Sequence, residues 1–194
     1  IANNKSINSL NLSEEENIFL KSLNLISSKP LMYICNVDEA SIISGNVFSR
    51  KVIEKNTKEL NKSIVISASI EAQISEFTIE KERLELLREH KLSESALNKA
   101  IFTGYNLLNL ITFFTSGPKE TRAWTIKNGS SAQEAAGKIH TDFEKGFIKA
   151  ETISFEHYIK YNGETGCKDA GKLRKEGKDY KVKDGDVFNF LFNV

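Results

Sequence analysis

Only two cysteines, two prolines, one methionine and one tryptophan occur in the 194 residues. Cys35 and Cys167 lie far apart in sequence. They have neither metal-site spacing nor the density of a disulfide framework, so free thiols in a reducing compartment are expected. No apolar run approaches the roughly 18 residues of a membrane span. No signal-peptide pattern is present either, so the expectation is a cytoplasmic chain that makes no use of a membrane. Net charge is +1, too small to point to a polyanionic partner at the level of the whole chain. The phosphate-cradling pattern G-x-x-x-x-G-K-[ST] is missing, since Gly45, Gly104 and Gly117 are not followed by a Gly-Lys-Ser/Thr partner. A magnesium-holding D-x-x-G after a strand is missing too, and Asp184-Gly185-Asp186 reads as turn chemistry. Phosphoryl transfer is positioning and electrostatics at the γ-phosphate. No catalytic or metal-binding residue is therefore assigned, and this chain alone is expected not to hydrolyse a nucleotide. The chain starts at Ile1 and its sole methionine is Met32, so the expectation is part of something longer.

What is present is an ordinary globular balance, 40% hydrophobic and 27% charged, in enough residues for one large or two small domains. Residues 1–12 are polar and read as a loop. Ser13 with Glu16 forms a capping box that opens a helix, expected to end before Lys29-Pro30. Residues 31–35 form a continuous apolar run, read as a buried parallel strand, and residues 63–67 form a second. A mixed-charge helix is expected over 47–61 between them, and helices over 70–76, 79–90 and 93–109 after them. This alternation indicates an α/β sheet. The charged run from Glu80 to Glu89 reads as a solvated helix face.

The character changes at Leu110 to short strands, turns and small helices. Arg122-Ala123-Trp124-Thr125-Ile126 alternates as a half-buried strand, and Lys127-Asn128-Gly129 is a turn. Ser131 and Glu134 form a second capping box, and Gly137 invites a close approach. Strands are expected at 111–114, 147–154, 180–182 and 187–192, with helices over 155–161 and 165–175. About 85 residues of this kind fit a β-grasp fold.

Arg122-Ala123-Trp124-Thr125, the run Ala136-Gly137-Lys138-Ile139-His140-Thr141-Asp142-Phe143 and the closing Gly185-Asp186-Val187-Phe188 strongly resemble the TGS domain of the YchF family. Members of that family are Obg-related P-loop nucleotide hydrolases that prefer ATP over GTP and associate with ribosomes. The resemblance covers nearly the whole chain but only the C-terminal part of such a protein. It implies three segments. Residues 1–29 end a helical insertion, 30–109 form the C-terminal part of an α/β nucleotide-binding domain, and 110–194 form a β-grasp TGS domain. ATP or GTP and magnesium belong to the complete protein, with the phosphate-binding elements N-terminal to Ile1, and the partner implied is the ribosome or ribosomal RNA.

Asn36-Val37-Asp38-Glu39 follows the first buried strand, where open α/β sheets bind ligands. Taken alone it is a polar strand–loop junction. With the resemblance it stands where GTPases place Asn-Lys-x-Asp, whose Asp accepts from guanine N1–H and the 2-amino group. Here Val37 replaces the Lys and Glu39 the Asp, which relaxes guanine selection. Asn36 can pair with adenine N6 and N7, and Val37 offers the base an apolar surface. Ser67-Ala68-Ser69 follows the next strand, and the resemblance makes it the companion loop whose amides touch the base. His140-Thr141-Asp142 belongs to the TGS pattern, with His140 and Asp142 tying a helix end to the following strand. Trp124 is read as core, with an exposed stacking surface as the alternative. Lys168, Lys172, Arg174, Lys175 and Lys178 form a locally basic segment, with Lys168, Lys172 and Lys175 able to share one helix face. It is either a solvated face or a contact to ribosomal RNA phosphates. His90 and His157 are left as surface residues without partners. The rival to a nucleotide-dependent protein is a stand-alone TGS adaptor for RNA or protein. A third reading is a small-ligand sensor.

Overall fold

The computed structural model describes residues 7, 10, 12–58, 62–118 and 120–193, the side chains of 57 and 58 excepted. The loop expected over 1–12 lies largely outside the described residues. The chain divides into two compact units, Ile1–Leu107 and Leu108–Val194.

In the first unit, α1 (Glu14–Ser22) opens on the capping box: Ser13 Oγ accepts from Glu16 N–H and the Glu16 carboxylate from Ser13 N–H, at 3.2 and 2.8 Å. The helix stops well before Pro30, because Asn24 adopts φ 48°. Asn tolerates that left-handed conformation, which breaks the helical ladder. β1 (Met32–Asn36) runs parallel to β2 (Lys62–Ile66), with Ile34 opposite Ile64. α2 (Val47–Lys58) connects them. The expectation that β1 is buried needs correction: its residues are half-buried or exposed, and Ile34 is 49% exposed. The sheet has two strands among the described residues, and Ile34 lies on a side of it that is left open. α3 (Ala68–Glu76), α4 (Glu80–Glu89) and α5 (Ala96–Leu107) follow. Ile70, Ile74 and Leu87 make a small core with Ile42, Leu86 and Leu92 around it. Glu71 joins α3 to α5 by accepting the Ala96 and Leu97 amides at 2.6 and 3.2 Å, a carboxylate on a helix N-terminus.

The second unit contains β3 (Leu110–Ser116), β4 (Thr121–Lys127), α6 (Ala132–Ile139), α7 (Thr141–Lys145), β5 (Phe147–Ser154), α8 (Phe155–Lys160), α9 (Glu164–Asp169), β6 (Arg174–Glu176) and β7 (Asp186–Phe192). Five strands form one sheet in the order β4-β3-β7-β5-β6. β3 and β7 are parallel, with Thr115 opposite Phe188, and the other pairs are antiparallel. One face carries Phe113, Ile126, Ala150, Phe188 and Phe190 against α6. Ala132, Ala135 and Ala136 are fully buried, and such small side chains let the helix sit close to the sheet. The α6 capping box forms as expected, Ser131 with Glu134. A β-carbon at Gly137 would run into the Glu144 carboxylate, which is the close approach its sequence position implied.

Three expectations change. The helix expected over 165–175 is α9 plus a strand. Gly171, at φ 65°, ends α9, with Gly171 N–H donating to Lys168 O and Lys172 N–H to Cys167 O. That Schellman closure frees Arg174–Glu176 to pair with β5. The strand expected over 180–182 is reduced to a single bridge, Ser131 with Lys181. Finally, His140 and Asp142 act within α7, a short helix the sequence pattern did not reveal. The His140 ring accepts from Asp142 N–H at 3.2 Å and caps that helix.

Candidate functional site: two loops of the first unit and a basic segment of the second

Asn36 ends β1 and Ser67 follows β2, so the parallel pairing brings both loops to the same, C-terminal edge of the strands. The α3 N-terminus is capped from a distance. Ser67 supplies no side-chain cap, and instead Asn36 Oδ1 accepts from Ala68 N–H at 3.0 Å across 32 residues. Glu39 makes the second tie. Its Oε1 accepts from Ser69 Oγ at 2.5 Å and from Gln73 Nε2 at 3.0 Å. Asn36, Glu39, Ala68 and Ser69 are exposed and adjacent. They place an amide side chain, a hydroxyl and a carboxylate on one surface.

Val37 does not share that surface. Its side chain is 7% exposed, and its amide bonds Ile66 O at 2.9 Å, so the apolar surface expected there is turned inward. Ser67 is also buried, at 1% exposure, and its Oγ has no hydrogen-bond partner among the described residues. Asp38 is occupied by its own turn, accepting from Ser41 N–H at 2.9 Å. Hydrogen bonding from Ser41, side chain first, holds the Asp38 carboxyl below its ordinary value. Gln73 is the residue that sequence reasoning passed over. It lies four residues after Ser69 on α3, so helical spacing puts both on one face.

In the second unit, the basic residues do not share a helix face. Lys168 is on α9, Lys172 follows its Gly171 closure, and Arg174 and Lys175 are on β6. Successive strand residues face opposite sides of a sheet. Lys168, Lys172, Lys175 and Lys178 are exposed. Arg174 is committed to structure: Asp186, 2% exposed, accepts from Arg174 Nη2 at 3.2 Å, Tyr180 OH at 2.9 Å and Lys183 N–H at 2.9 Å. That pairing makes a buried carboxylate tolerable. Burial, with Asp186 alongside, raises the Tyr180 phenol above its ordinary value. Trp124 is half-buried on Phe113, donates Nε1–H to Thr115 Oγ1 at 3.0 Å, and carries the Arg122 guanidinium over its ring at 4.2 Å. His157 does have a partner, Ser154 Oγ at 2.9 Å from Nδ1. Cys35 and Cys167 are free thiols; burial raises that of Cys167. Among the described residues, no group of three or more His, Cys, Asp or Glu is placed to hold a metal ion, and no helix is long and apolar enough to cross a membrane.

The family model YchF-GTPase_C, "Protein of unknown function (DUF933)", matches residues 110–193. A protein of Escherichia coli O157:H7 named "Ribosome-binding ATPase YchF" is 53% identical over 188 residues, 97% of this chain and 51% of that protein. The chain belongs to the YchF family. A Bacillus subtilis (strain 168) protein of the same name is 45% identical over 192 residues, 98% of this chain and 52% of that protein. The solved structure of the Schizosaccharomyces pombe YchF GTPase superposes with TM-score 0.85 at 34% identity, covering 98% of this chain and 50% of that one. A GTP-binding protein from Pyrococcus horikoshii OT3 shares the mixed α/β fold, with TM-score 0.61 at 19% identity over 94% of this chain and 51% of that one. The chain spans about half the length of the curated YchF relatives it matches.

Proposed function

We propose that the chain is the base-recognising and docking half of a YchF-type nucleotide hydrolase that prefers ATP to GTP and works on ribosomes in the cytoplasm. The observation that carries this reading is the double tie between the loops, Asn36 to Ala68 and Glu39 to Ser69, which rims one surface with base-pairing groups. Asn36, Glu39, Ala68 and Ser69 would hold the base, while Val37 and Ser67 support them from beneath. The triphosphate and magnesium would be held by a P-loop segment that these residues do not include, so this chain alone binds nucleotide weakly and hydrolyses none. The test is nucleotide binding by the full-length gene product in magnesium. ATP binding more tightly than GTP is expected, and equal or reversed affinities overturn the preference.

The second unit acts as a TGS domain of β-grasp topology. Support comes from the order β4-β3-β7-β5-β6, in which β3 and β7, the first and last strands along the unit, are adjacent and parallel, and from α6 packed on one face. Its exposed Lys168, Lys172, Lys175 and Lys178 would contact RNA phosphates, each contact releasing counterions and making binding salt-dependent. Co-sedimentation with ribosomes across a salt series tests this, with Lys172, Lys175 and Lys178 replaced by alanine. Arg174 is left intact because Asp186 depends on it. Binding that ignores both salt and the substitutions makes the lysines a solvated face.

The adaptor reading is favoured by one observation: the second unit encloses its own core. Ribosome binding by 108–194 alone, together with a full-length product that binds no nucleotide, would establish it.

A further inference from the structure

We propose that Ser69 and Gln73 are positioning residues that set base selectivity by occupying one oxygen of Glu39, leaving the loop a single carboxylate acceptor for a purine. The inference rests on the nucleotide reading above and names what decides between the two bases.

An ionised carboxylate has two oxygens, each able to accept about two hydrogen bonds. Glu39 Oε1 already takes the Ser69 hydroxyl at 2.5 Å and the Gln73 amide at 3.0 Å, so its accepting capacity is used. No hydrogen bond among the described residues reaches Oε2. Guanine offers two adjacent donors on its pairing edge, N1–H and the 2-amino group, and a carboxylate satisfies both only with both oxygens free. Adenine offers one donor there, the 6-amino group, beside an acceptor. A loop with one free oxygen satisfies that donor. It leaves one guanine donor without a partner, and an unpaired donor in a site costs more than a missing contact. The exchange of Asp for the longer Glu fits the same geometry. The extra methylene lets a carboxylate on the 36–39 loop reach the helix face at positions 69 and 73, one turn apart. Asn36 is partly committed in a parallel way, since Oδ1 accepts from Ala68 N–H. Its second lone pair and its NH2 remain for the base.

The test is ATP and GTP affinity of the full-length protein in magnesium, wild type against Ser69→Ala, Gln73→Leu, the double variant and Ser69→Thr. Each deletion returns lone pairs to Oε1, so the ATP-over-GTP affinity ratio should fall, by about tenfold in the double variant. Ser69→Thr keeps the hydroxyl and should keep the wild-type ratio. A ratio unchanged in the double variant overturns the inference, as does equal weakening of both nucleotides, which would mean the ties only hold the loop in place. If the wild type shows ATP preference while the variants do not move it, the nucleotide reading stands without this inference. A wild type that binds neither nucleotide overturns both.

Discussion

The two units spend the same kinds of residue differently. In the second, Phe113, Phe188 and Phe190 meet edge-on or stacked within 6.2 Å of one another beneath the three buried alanines of α6. In the first, the clustered core is Ile70, Ile74 and Leu87, while Ile34, Phe48, Leu97, Ile101 and Phe102 stand exposed. Phe48 is 78% exposed although it lies on a regular helix, α2. A five-stranded sheet with a helix across it removes enough apolar surface from water to stand alone. A two-stranded sheet does not, and large exposed apolar patches mark surfaces that expect a partner. The difference shows that regular secondary structure is no measure of a finished core.

The sharpest way to break the comparison is to separate the units. Residues 108–194 alone are expected to unfold cooperatively in a thermal melt. Residues 1–107 alone should bind a hydrophobic dye and self-associate in sedimentation. A monomeric, dye-silent first unit would remove the contrast. Next in size is a matched pair of truncations followed by denaturant unfolding. Phe113→Ala should cost about 4 kcal/mol, while Phe48→Ala should stay within about 0.5 kcal/mol. Third, Asp186→Ala removes the acceptor shared by Arg174, Tyr180 and the Lys183 amide. It should cost the second unit about 2 to 3 kcal/mol. Smallest is Ser131→Ala at the α6 cap, about 1 kcal/mol by the same measurement.

Titration sharpens the comparison in the second unit. The Tyr180 phenol is raised in the fold, so its contribution is complete below its unfolded value and is lost as pH rises through the folded one. The denaturation midpoint of 108–194 should fall from about pH 10 upward, and Tyr180→Phe should flatten that fall. The Glu134 carboxyl is lowered, first by the Ser131 amide. Its contribution is present above its unfolded value and fades as pH falls through the folded one. Glu134→Gln should remove that acid-side loss.

Signals in the sequence are legible where the physics is local. The capping boxes at Ser13 and Ser131 need only residues three apart, and both form. The parallel strands 32–36 and 62–66 follow from apolar runs and the helix between them. Helix ends were harder. Asn24 and Gly171 stop α1 and α9 through left-handed backbone, a cheap choice that hydrophobic spacing does not record. The Gly171 closure is also why Lys168, Lys172 and Lys175 do not share the helix face that their spacing predicts. At the candidate site, Asn36, Glu39, Ala68 and Ser69 were legible as loops after strands. The inward turn of Val37 and the part taken by Gln73 were not, because both depend on which loop lies opposite.

By itself, then, the sequence determined the family, the alternation of elements and the turns that carry polar groups, because these rest on spacing within a few residues. Only the tertiary structure decided which polar groups are free. It placed Arg174 in an ion pair with a buried Asp186, gave one oxygen of Glu39 to Ser69 and Gln73, and left Ile34 on an open face. Hydrogen-bonding capacity is finite and is divided among neighbours that the chain brings together from tens of residues apart, so no window along the sequence holds that division.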